Sequence, residues 1–393
     1  MEHTLNVPVS SSGVSQAAKP AKATMPFLDL KAQFATMRHE ILEAVTRVLE
    51  SQHFILGPEV EAFEKEISML TGCSHAIACA SGSDALILAL LALEIGRGDE
   101  VITTPFTFVA SAGSIARVGA KPVFVDIDAE TFNITPRAIE KAITSRTKAI
   151  MPVHLFGLSA EMSEINEIAA QHGIAVIEDA AQAIGARYQG RAAGSLGVMG
   201  CFSFFPSKNL GDAGDGGLVI TRDAALAERL RLLRVHGARK KYEYELLGMN
   251  SRLDALQAAI LRVKLPYLEH WAVGRRRNAE RYRELFHEFR LEAMIRAPLT
   301  PVGFTHVYNQ FTIRVRERDT LREHLQSRGI PTEVYYPQPL HLQKTFAYLG
   351  YKHGDFPESE AASIEVVSLP IHPELTDEQQ RSVVAAIADF DAE

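Results

Sequence analysis

The sequence predicts an α/β fold in which a mostly parallel sheet is flanked by helices and followed by a smaller C-terminal α+β domain. Between residues 75 and 234, short apolar segments alternate with longer segments of helical periodicity. Small or polar residues follow the ends of several of these strands, where parallel sheets bind their ligands. After residue 267 a long helix, a strand, a second helix, an extended segment and a last helix indicate the smaller unit.

The composition is that of a globular protein without an affinity for nucleic acid. Of the 393 residues, 47% are apolar and 23% are charged, and the net charge is −7 with no basic stripe. Every apolar run stays well below the ~20 residues needed to cross a bilayer. We therefore expect neither a nucleic acid nor a membrane as a partner.

The cysteines and the N-terminal segment favour the cytoplasm. Cys73, Cys79 and Cys201 have no metal-ligand spacing and cannot all pair, which predicts buried thiols in a reducing compartment and no metal site. Residues 1–24 lack the basic start and the continuous apolar run of a signal peptide, so we predict a mobile tail.

The elements of the predicted large domain, residues 25–267, follow from the spacing of the apolar residues. Those of the first segment recur at helical intervals and predict a helix over 30–52. Further helices are predicted at 59–70, up to about 94, up to about 118, and at 136–144, 162–172 and 223–234. Strands are predicted at 75–80, 100–104, 121–126, 148–153, 174–178 and 217–221, with a short apolar strand before Pro206.

One more helix of this domain is predicted after Asn250, with Ser251 and Asp254 as its capping pair. The predicted small domain, residues 268–393, begins with a long basic helix over 268–289. Its other elements are predicted as a strand at 308–316, a helix at 318–328, an extended segment at 331–336 and a helix at 377–390.

The stretch from Val176 to Gly217 contains an acid and a lysine in positions that suit a pyridoxal phosphate site. Asp179 follows a buried strand, and Lys208 lies on a loop before a glycine-rich turn. In such sites an acid keeps the pyridinium nitrogen protonated, and a lysine forms a Schiff base with the aldehyde. Either residue alone is more often an ordinary strand-end acid or a solvated loop lysine.

Other candidates have ordinary structural alternatives of the same kind. Gly82 and Ser83 begin a helix, where free N–H groups and the helix dipole favour a phosphate, but Ser83 could also simply cap that helix. Phe108 either stacks on a ligand or packs in the core. His154 either lines a cleft or is a structural histidine, and Asn250 alone suits a turn.

Six segments, taken in order, resemble the DegT/DnrJ/EryC1/StrS family of sugar aminotransferases, which are pyridoxal-phosphate enzymes of fold type I. The resemblance covers nearly all of the chain from about residue 25 onward. The segments are FILGPEVEAFE (54–64), ASGSDALILAL (80–90), PFTFVAS (105–111), EDAAQ (178–182), SFFPSK (203–208) and NSRLDALQAA (250–259).

The resemblance implies a role for each residue that matches a family motif. Asp179 would pair with the pyridine nitrogen, and Lys208 would carry the cofactor and later move the proton. The resemblance places the remaining cofactor residues around the phosphate, the ring face and the phenolic oxygen; they are Gly82, Ser83, Ser203, Phe108 and Gln182. Asn250 would reach the cofactor phosphate of a neighbouring subunit, which implies a homodimer with its sites at the interface.

The resemblance also implies a reaction. A lysine at position 208, where dehydrating relatives carry histidine, favours transamination from an amino acid, expected to be L-glutamate. The pattern is most similar to enzymes that aminate C3 of a UDP-linked 3-keto N-acetyl sugar for lipid A or surface polysaccharide. His154, Tyr336 and His341 are substrate-site candidates. Enzymes of dTDP-linked 3-keto or 4-keto-6-deoxysugars remain close competitors.

Two other classes of protein compete with this interpretation. A non-catalytic regulator would keep the fold, but the intact set of Asp179, Gln182, Ser203 and Lys208 argues against it. A nicotinamide-dependent dehydrogenase would need a Gly-x-Gly-x-x-Gly turn after its first strand, and residues 80–84 supply one glycine.

Overall fold

The computed structural model describes residues 25–392, so the predicted tail of residues 1–24 lies outside the described part. The helices are α1 (Leu30–Ser51), α2 (Pro58–Thr71), α3 (Gly82–Ala92), α4 (Val109–Arg117), α5 (Pro136–Ala142), α6 (Met162–His172), α7 (Ala224–Leu233), α8 (Ala255–Lys264), α9 (Leu268–Glu288), α10 (Arg318–Ser327), α11 (Pro357–Glu365) and α12 (Asp377–Ala392). The strands are β1 (His75–Cys79), β2 (Glu100–Thr103), β3 (Lys121–Phe124), β4 (Thr147–Ile150), β5 (Ala175–Asp179), β6 (Arg187–Tyr188), β7 (Arg191–Ala192), β8 (Met199–Ser203), β9 (Gly217–Thr221), β10 (Ala238–Lys240), β11 (Glu243–Tyr244), β12 (Phe304–Thr305), β13 (Phe311–Arg314) and β14 (Val366–Leu369).

A seven-stranded sheet in the order β1-β9-β8-β5-β4-β2-β3 forms the centre of the molecule. Only β9 runs antiparallel to its neighbours within this sheet, so the carboxyl ends of the other strands meet at one edge. This arrangement confirms the prediction of a mostly parallel sheet flanked by helices, the architecture of fold type I.

The strands of this sheet are apolar because helices cover both of its faces. All residues of β2 and β9 are buried, and their central residues are apolar, as expected of strands that are covered on both faces. Helix α3 is buried on nearly all sides and packs against β8, β9, α4 and α7. Its buried position explains why its sequence is apolar without a polar face.

A second core lies around the antiparallel pair of β13 and β14. Aromatic side chains of α9 and β13, among them Tyr282, Phe286 and Phe311, pack there with apolar residues of α10 and α12. Helix α9 contacts both cores, because Leu268 and Ala272 belong to the core under the large sheet. The domain boundary at residue 268 stays a prediction.

Most predicted elements form within a few residues of their expected bounds, but some expectations are wrong. Asp254 precedes α8 without a side-chain cap, so the predicted capping pair does not form. The Ser251 hydroxyl instead donates to Asp84 Oδ2 at 2.7 Å, and it accepts from the Ala80 N–H at 3.2 Å. The structure also contains α11 and β14, which were not predicted. Among the described residues, none of the helices combines the length and the hydropathy of a membrane span.

Candidate active site

The carboxyl edge of the large sheet brings several of the predicted residues together. Strand β5 ends at Asp179, β8 ends at Ser203, and the neighbouring α3 begins at Gly82. Gly82 lies directly against Ser203, because a Cβ atom at Gly82 would be only 2.6 Å from the Ser203 Cβ. The two elements predicted to hold a phosphate therefore touch, and they do so at a place where only glycine fits.

The first turn of α3 is capped by Ser81 and not by Ser83. The Ser81 hydroxyl accepts from the Asp84 N–H at 3.1 Å, and the first intrahelical bond runs from the Ala85 N–H to the Ser81 carbonyl. The alternative that Ser83 caps this helix is therefore wrong. The N–H groups of Gly82 and Ser83 precede the first intrahelical bond, and at the positive end of the helix dipole they suit an anion.

Asp179 is buried and held by two donors. The Ser111 hydroxyl donates to its Oδ2 at 2.7 Å, and the Ala181 N–H donates to its Oδ1 at 3.2 Å. Burial raises the pKa of Asp179 above its ordinary value, while these two donors and the charge of Lys208 act in the opposite direction. The ordinary alternative of a surface acid at a strand end does not apply.

Lys208 lies on the loop that joins β8 to β9, and its side chain is half-buried. Burial lowers the pKa of Lys208 to about 8, with the charge of Asp179 opposing this shift. The two groups therefore lie close enough to affect each other. A lysine with a pKa near neutrality is partly uncharged at physiological pH and can act as a nucleophile or a base.

The Lys208 loop is anchored by a residue that the sequence interpretation missed. The buried Asn209 amide donates to the Val307 carbonyl at 2.8 Å, and the Asn309 amide donates to Asn209 Oδ1 at 2.9 Å. The backbone N–H of Lys208 donates to the Phe205 carbonyl at 2.8 Å. Asn209 follows the lysine directly, but its partners are about 100 residues away, so no local pattern indicates its role.

Three further predicted residues form a group above the sheet edge. Phe108 is 55% exposed, so the alternative of core packing is wrong, and its ring centroid lies 6.4 Å from that of Tyr336. Gln182 accepts from the Phe156 N–H at 2.7 Å and donates to the Tyr336 hydroxyl at 3.0 Å. Because Tyr336 accepts from Gln182, its own proton stays available to a ligand.

The two predicted histidines lie in the interior. The His154 ring is fully buried, with Nε2 at 2.7 Å from Glu178 Oε2 and Nδ1 accepting from the Ala160 N–H at 3.1 Å. The buried His341 binds Glu360 through Nε2 at 2.9 Å. The burial of both rings and their bonds to carboxylates favour the structural alternative, and their role at a substrate stays a prediction.

Asn250 lies on the surface, next to the first turn of α3. Its backbone pairs with that of Val235, and the following Ser251 hydroxyl contacts Asp84 in α3. The side chain is exposed, as it must be to reach another chain. Whether it binds the phosphate of a neighbouring subunit stays a prediction.

Comparison with known proteins identifies the chains to which this one is similar. The model of the DegT/DnrJ/EryC1/StrS aminotransferase family matches residues 35–388. The chain is 52% identical over 366 residues to the pleiotropic regulatory protein of Geobacillus stearothermophilus, covering 93% of this chain and 98% of that one. It is 50% identical over 363 residues to the UDP-N-acetyl-3-dehydro-alpha-D-glucosamine 3-aminotransferase of Acidithiobacillus ferrooxidans (92% and 97% covered). It is 45% identical over 366 residues to the dTDP-3-amino-3,4,6-trideoxy-alpha-D-glucose transaminase of Streptomyces venezuelae (93% and 96% covered).

Solved structures show the same architecture. The crystal structure of S. venezuelae DesV in complex with a ketimine intermediate superposes with a TM-score of 0.91 at 44% identity, covering 95% of this chain and 100% of that one. The structure of Bacillus subtilis NtdA with bound cofactor PMP gives a TM-score of 0.86 at 33% identity, covering 94% of this chain and 86% of that one.

Proposed function

This chain belongs to the DegT/DnrJ/EryC1/StrS aminotransferase family, and from that premise we propose that it moves an amino group from L-glutamate to C3 of a UDP-linked 3-keto N-acetyl sugar. The product would serve lipid A or surface polysaccharide biosynthesis. The observation that carries the proposal is the pair of the buried Asp179 and the half-buried Lys208 at the sheet edge, each of which shifts the pKa of the other.

The cofactor is pyridoxal 5′-phosphate, and the residues present fit it. The free N–H groups of Gly82 and Ser83, with Ser203 against them, would hold the phosphate. Phe108 offers an exposed ring face to the pyridine ring. Asp179 would lie at the pyridine nitrogen. When bound, the cofactor supplies an aldehyde that takes up the amino group and a ring that withdraws electrons.

The protein's own groups have complementary tasks in this reaction. The Asp179 carboxylate would hold a proton on the ring nitrogen, because an ionised acid at close range favours the charged form of its partner. The Lys208 Nζ would carry the proton taken from the donor's α-carbon, which requires an amine that is partly neutral at physiological pH. The amide of Gln182 and the hydroxyl of Tyr336, which are hydrogen-bonded to each other, would orient the bound cofactor and substrate.

Two alternatives follow from the named relatives. A relative at 45% identity is named for a dTDP-linked sugar, so a dTDP-3-keto- or 4-keto-6-deoxysugar is the second candidate substrate. A relative at 52% identity is named a regulatory protein, so a non-catalytic regulator is the third candidate. The amine and the carboxylate of the buried pair favour chemistry over regulation, since a regulator needs neither.

A substrate panel tests the proposal. The protein with pyridoxal 5′-phosphate and L-glutamate is incubated with UDP- and dTDP-linked 3-keto and 4-keto sugars, and the aminated sugars are measured by mass spectrometry. We expect the UDP-linked 3-keto N-acetyl sugar to be converted fastest, and Lys208→Ala to bind substrates without converting them. Preference for a dTDP-linked sugar would overturn the substrate assignment, and full turnover by Lys208→Ala would remove the lysine from the mechanism.

We also propose a homodimeric assembly in the cytoplasm. Exposed side chains beside the site, among them Phe205 at 52% and the polar Asn250, suit contact with a second copy of the chain. The three cysteines are unpaired and buried, as expected in a reducing compartment. Light scattering tests the dimer, and a monomeric active enzyme would overturn it.

A further inference from the structure

Two hydroxyl groups, that of Ser111 in α4 and that of Thr107 just before this helix, form a chain of hydrogen bonds that ends at the Asp179 carboxylate. The Ser111 Oγ donates to Asp179 Oδ2 at 2.7 Å, and the Thr107 Oγ1 lies 3.0 Å from the Ser111 Oγ. All three side chains are buried, with exposures of 1 to 4%. A serine hydroxyl has a single proton, which Ser111 directs at Asp179, so the Thr107 hydroxyl is the donor to Ser111.

We propose that Ser111, oriented by Thr107, is a positioning residue that holds Asp179 ionised and fixed in direction toward the ring nitrogen of pyridoxal 5′-phosphate. The inference rests on the proposed function and extends it to a residue that does not touch the cofactor. Ser111 belongs to the same segment as Phe108, so one short stretch would set both the ring face and the charge at the ring nitrogen.

The surroundings of Asp179 make such a donor necessary. Burial works against the ionised carboxylate. The titratable groups that face it are Lys208 on its loop, His154 after β4, Cys201 on β8 and Tyr336. The last two are weak acids whose own pKa values are raised by burial and by the Asp179 charge, and they supply no positive charge.

The remaining two groups, His154 and Lys208, stabilise the ionised Asp179 only in part. His154 has its Nε2 at 2.7 Å from Glu178 Oε2 and its Nδ1 at 3.1 Å from the Ala160 N–H, so both ring nitrogens have partners other than Asp179. The Lys208 charge favours the ionised Asp179 less than the Ser111 hydrogen bond does. The direct donors that favour the ionised Asp179 are therefore Ser111 and the Ala181 N–H, and only the first is a side chain.

A neighbouring serine, Ser114, has a purely structural role in this helix. Ser114 is also buried in α4, and its hydroxyl donates to the Ser111 carbonyl one turn back at 2.9 Å. Ser111 instead reaches a carboxylate 68 positions away in the sequence. Ser114→Ala is therefore a matched control for the loss of one buried serine hydroxyl.

The experiment compares the affinity of wild type, Ser111→Ala, Ser111→Thr and Ser114→Ala for pyridoxal 5′-phosphate, titrated by the absorbance of the bound cofactor between about pH 8 and about pH 5. A hydrogen bond to a carboxylate lowers its pKa, so its loss moves the protonation of Asp179 to higher pH. We expect Ser111→Ala to bind about tenfold more weakly or worse, with a deficit that grows as the pH falls. Ser111→Thr, which keeps the hydroxyl, should restore most of the affinity.

The outcomes separate this inference from the proposed function. A wild type that binds the cofactor and transaminates while Ser111→Ala equals Ser114→Ala at every pH overturns the role of Ser111 alone. A wild type that binds no cofactor overturns the proposed function instead. If Ser111→Ala does not fold, Thr107→Val is measured instead, because it removes the outer hydroxyl at constant volume. If its affinity for the cofactor equals that of the wild type at every pH, the inference is overturned.

Discussion

Replacing Lys208 by methionine is expected to stabilise the cofactor-free protein while it abolishes transamination. Burial lowers the pKa of the Lys208 amine from 10.5 to about 8. Each pKa unit corresponds to about 1.4 kcal/mol, so the charged amine destabilises the folded, cofactor-free protein by about 3 kcal/mol at neutral pH. Methionine is of similar length and carries no charge, so Lys208→Met removes this penalty without opening a large cavity.

The pH dependence of this effect follows from proton linkage. Below a pH of about 8 Lys208 is protonated in both the folded and the unfolded state, and the whole penalty is present. Between that pH and 10.5 the unfolded chain keeps the proton and the folded chain does not, so the stability of the wild type rises with pH. The advantage of Lys208→Met should shrink over this window and vanish above it.

Urea unfolding of the cofactor-free wild type and variant across this window measures the difference in free energy of unfolding. Lys65→Met, in an exposed position of α2, is the matched control and should change the stability little at any pH. The reasoning is refuted if Lys208→Met is no more stable than the wild type at neutral pH. A difference that stays constant up to the highest pH would equally show that desolvation of the amine is not its cause.

Three further substitutions test the rest of the site. Gly82→Ala would place a Cβ 2.6 Å from that of Ser203, so we expect a loss of about 1–3 kcal/mol in urea unfolding together with weaker cofactor binding; unchanged values would mean that α3 and β8 can separate. Asn250→Ala should lose cofactor on dialysis while light scattering still gives a dimer, and full retention would reduce Asn250 to a turn residue. Tyr336→Phe removes the proton left free by the bond from Gln182 and also the acceptor of that bond, so KM for the sugar should rise together with a loss of about 1–3 kcal/mol in urea unfolding; an unchanged KM would exclude the contact with the sugar.

The local elements could be predicted because their apolar patterns agree with the fold around them. Helix α6 and strand β9 have the bounds that the sequence predicts. Helix α11 was missed although Pro357, Glu358 and Glu360 form a first turn typical of a helix start, and its cap comes from a distant residue. Asp126, which follows β3, accepts from the N–H groups of Glu358 and Ser359 and so caps this helix from another part of the chain. A cap supplied at such a distance leaves no local signal.

The same reason separates the site residues that could be predicted from those that could not. Motifs identified Asp179, Lys208 and Gly82, whereas Ser111 and Asn209 act through partners that only the topology brings near. The burial of His154 could not be predicted either. Its Nε2 lies 2.7 Å from the carboxylate of Glu178, the neighbour of Asp179 in β5, and no motif indicates this contact.

The energetics of the buried pair give a physical argument for catalysis over regulation. Burial disfavours the charge on Asp179 and the charge on Lys208, and their mutual attraction offsets this only in part. In the cofactor-free protein both groups are therefore a source of instability that a smaller polar or apolar pair would avoid. A ligand that pairs with both groups offsets this instability. Pyridoxal 5′-phosphate would do so with its pyridine nitrogen at Asp179 and its aldehyde at Lys208. A reaction that needs an acid and an amine at one site therefore explains the pair better than regulation does, because a regulator needs neither group.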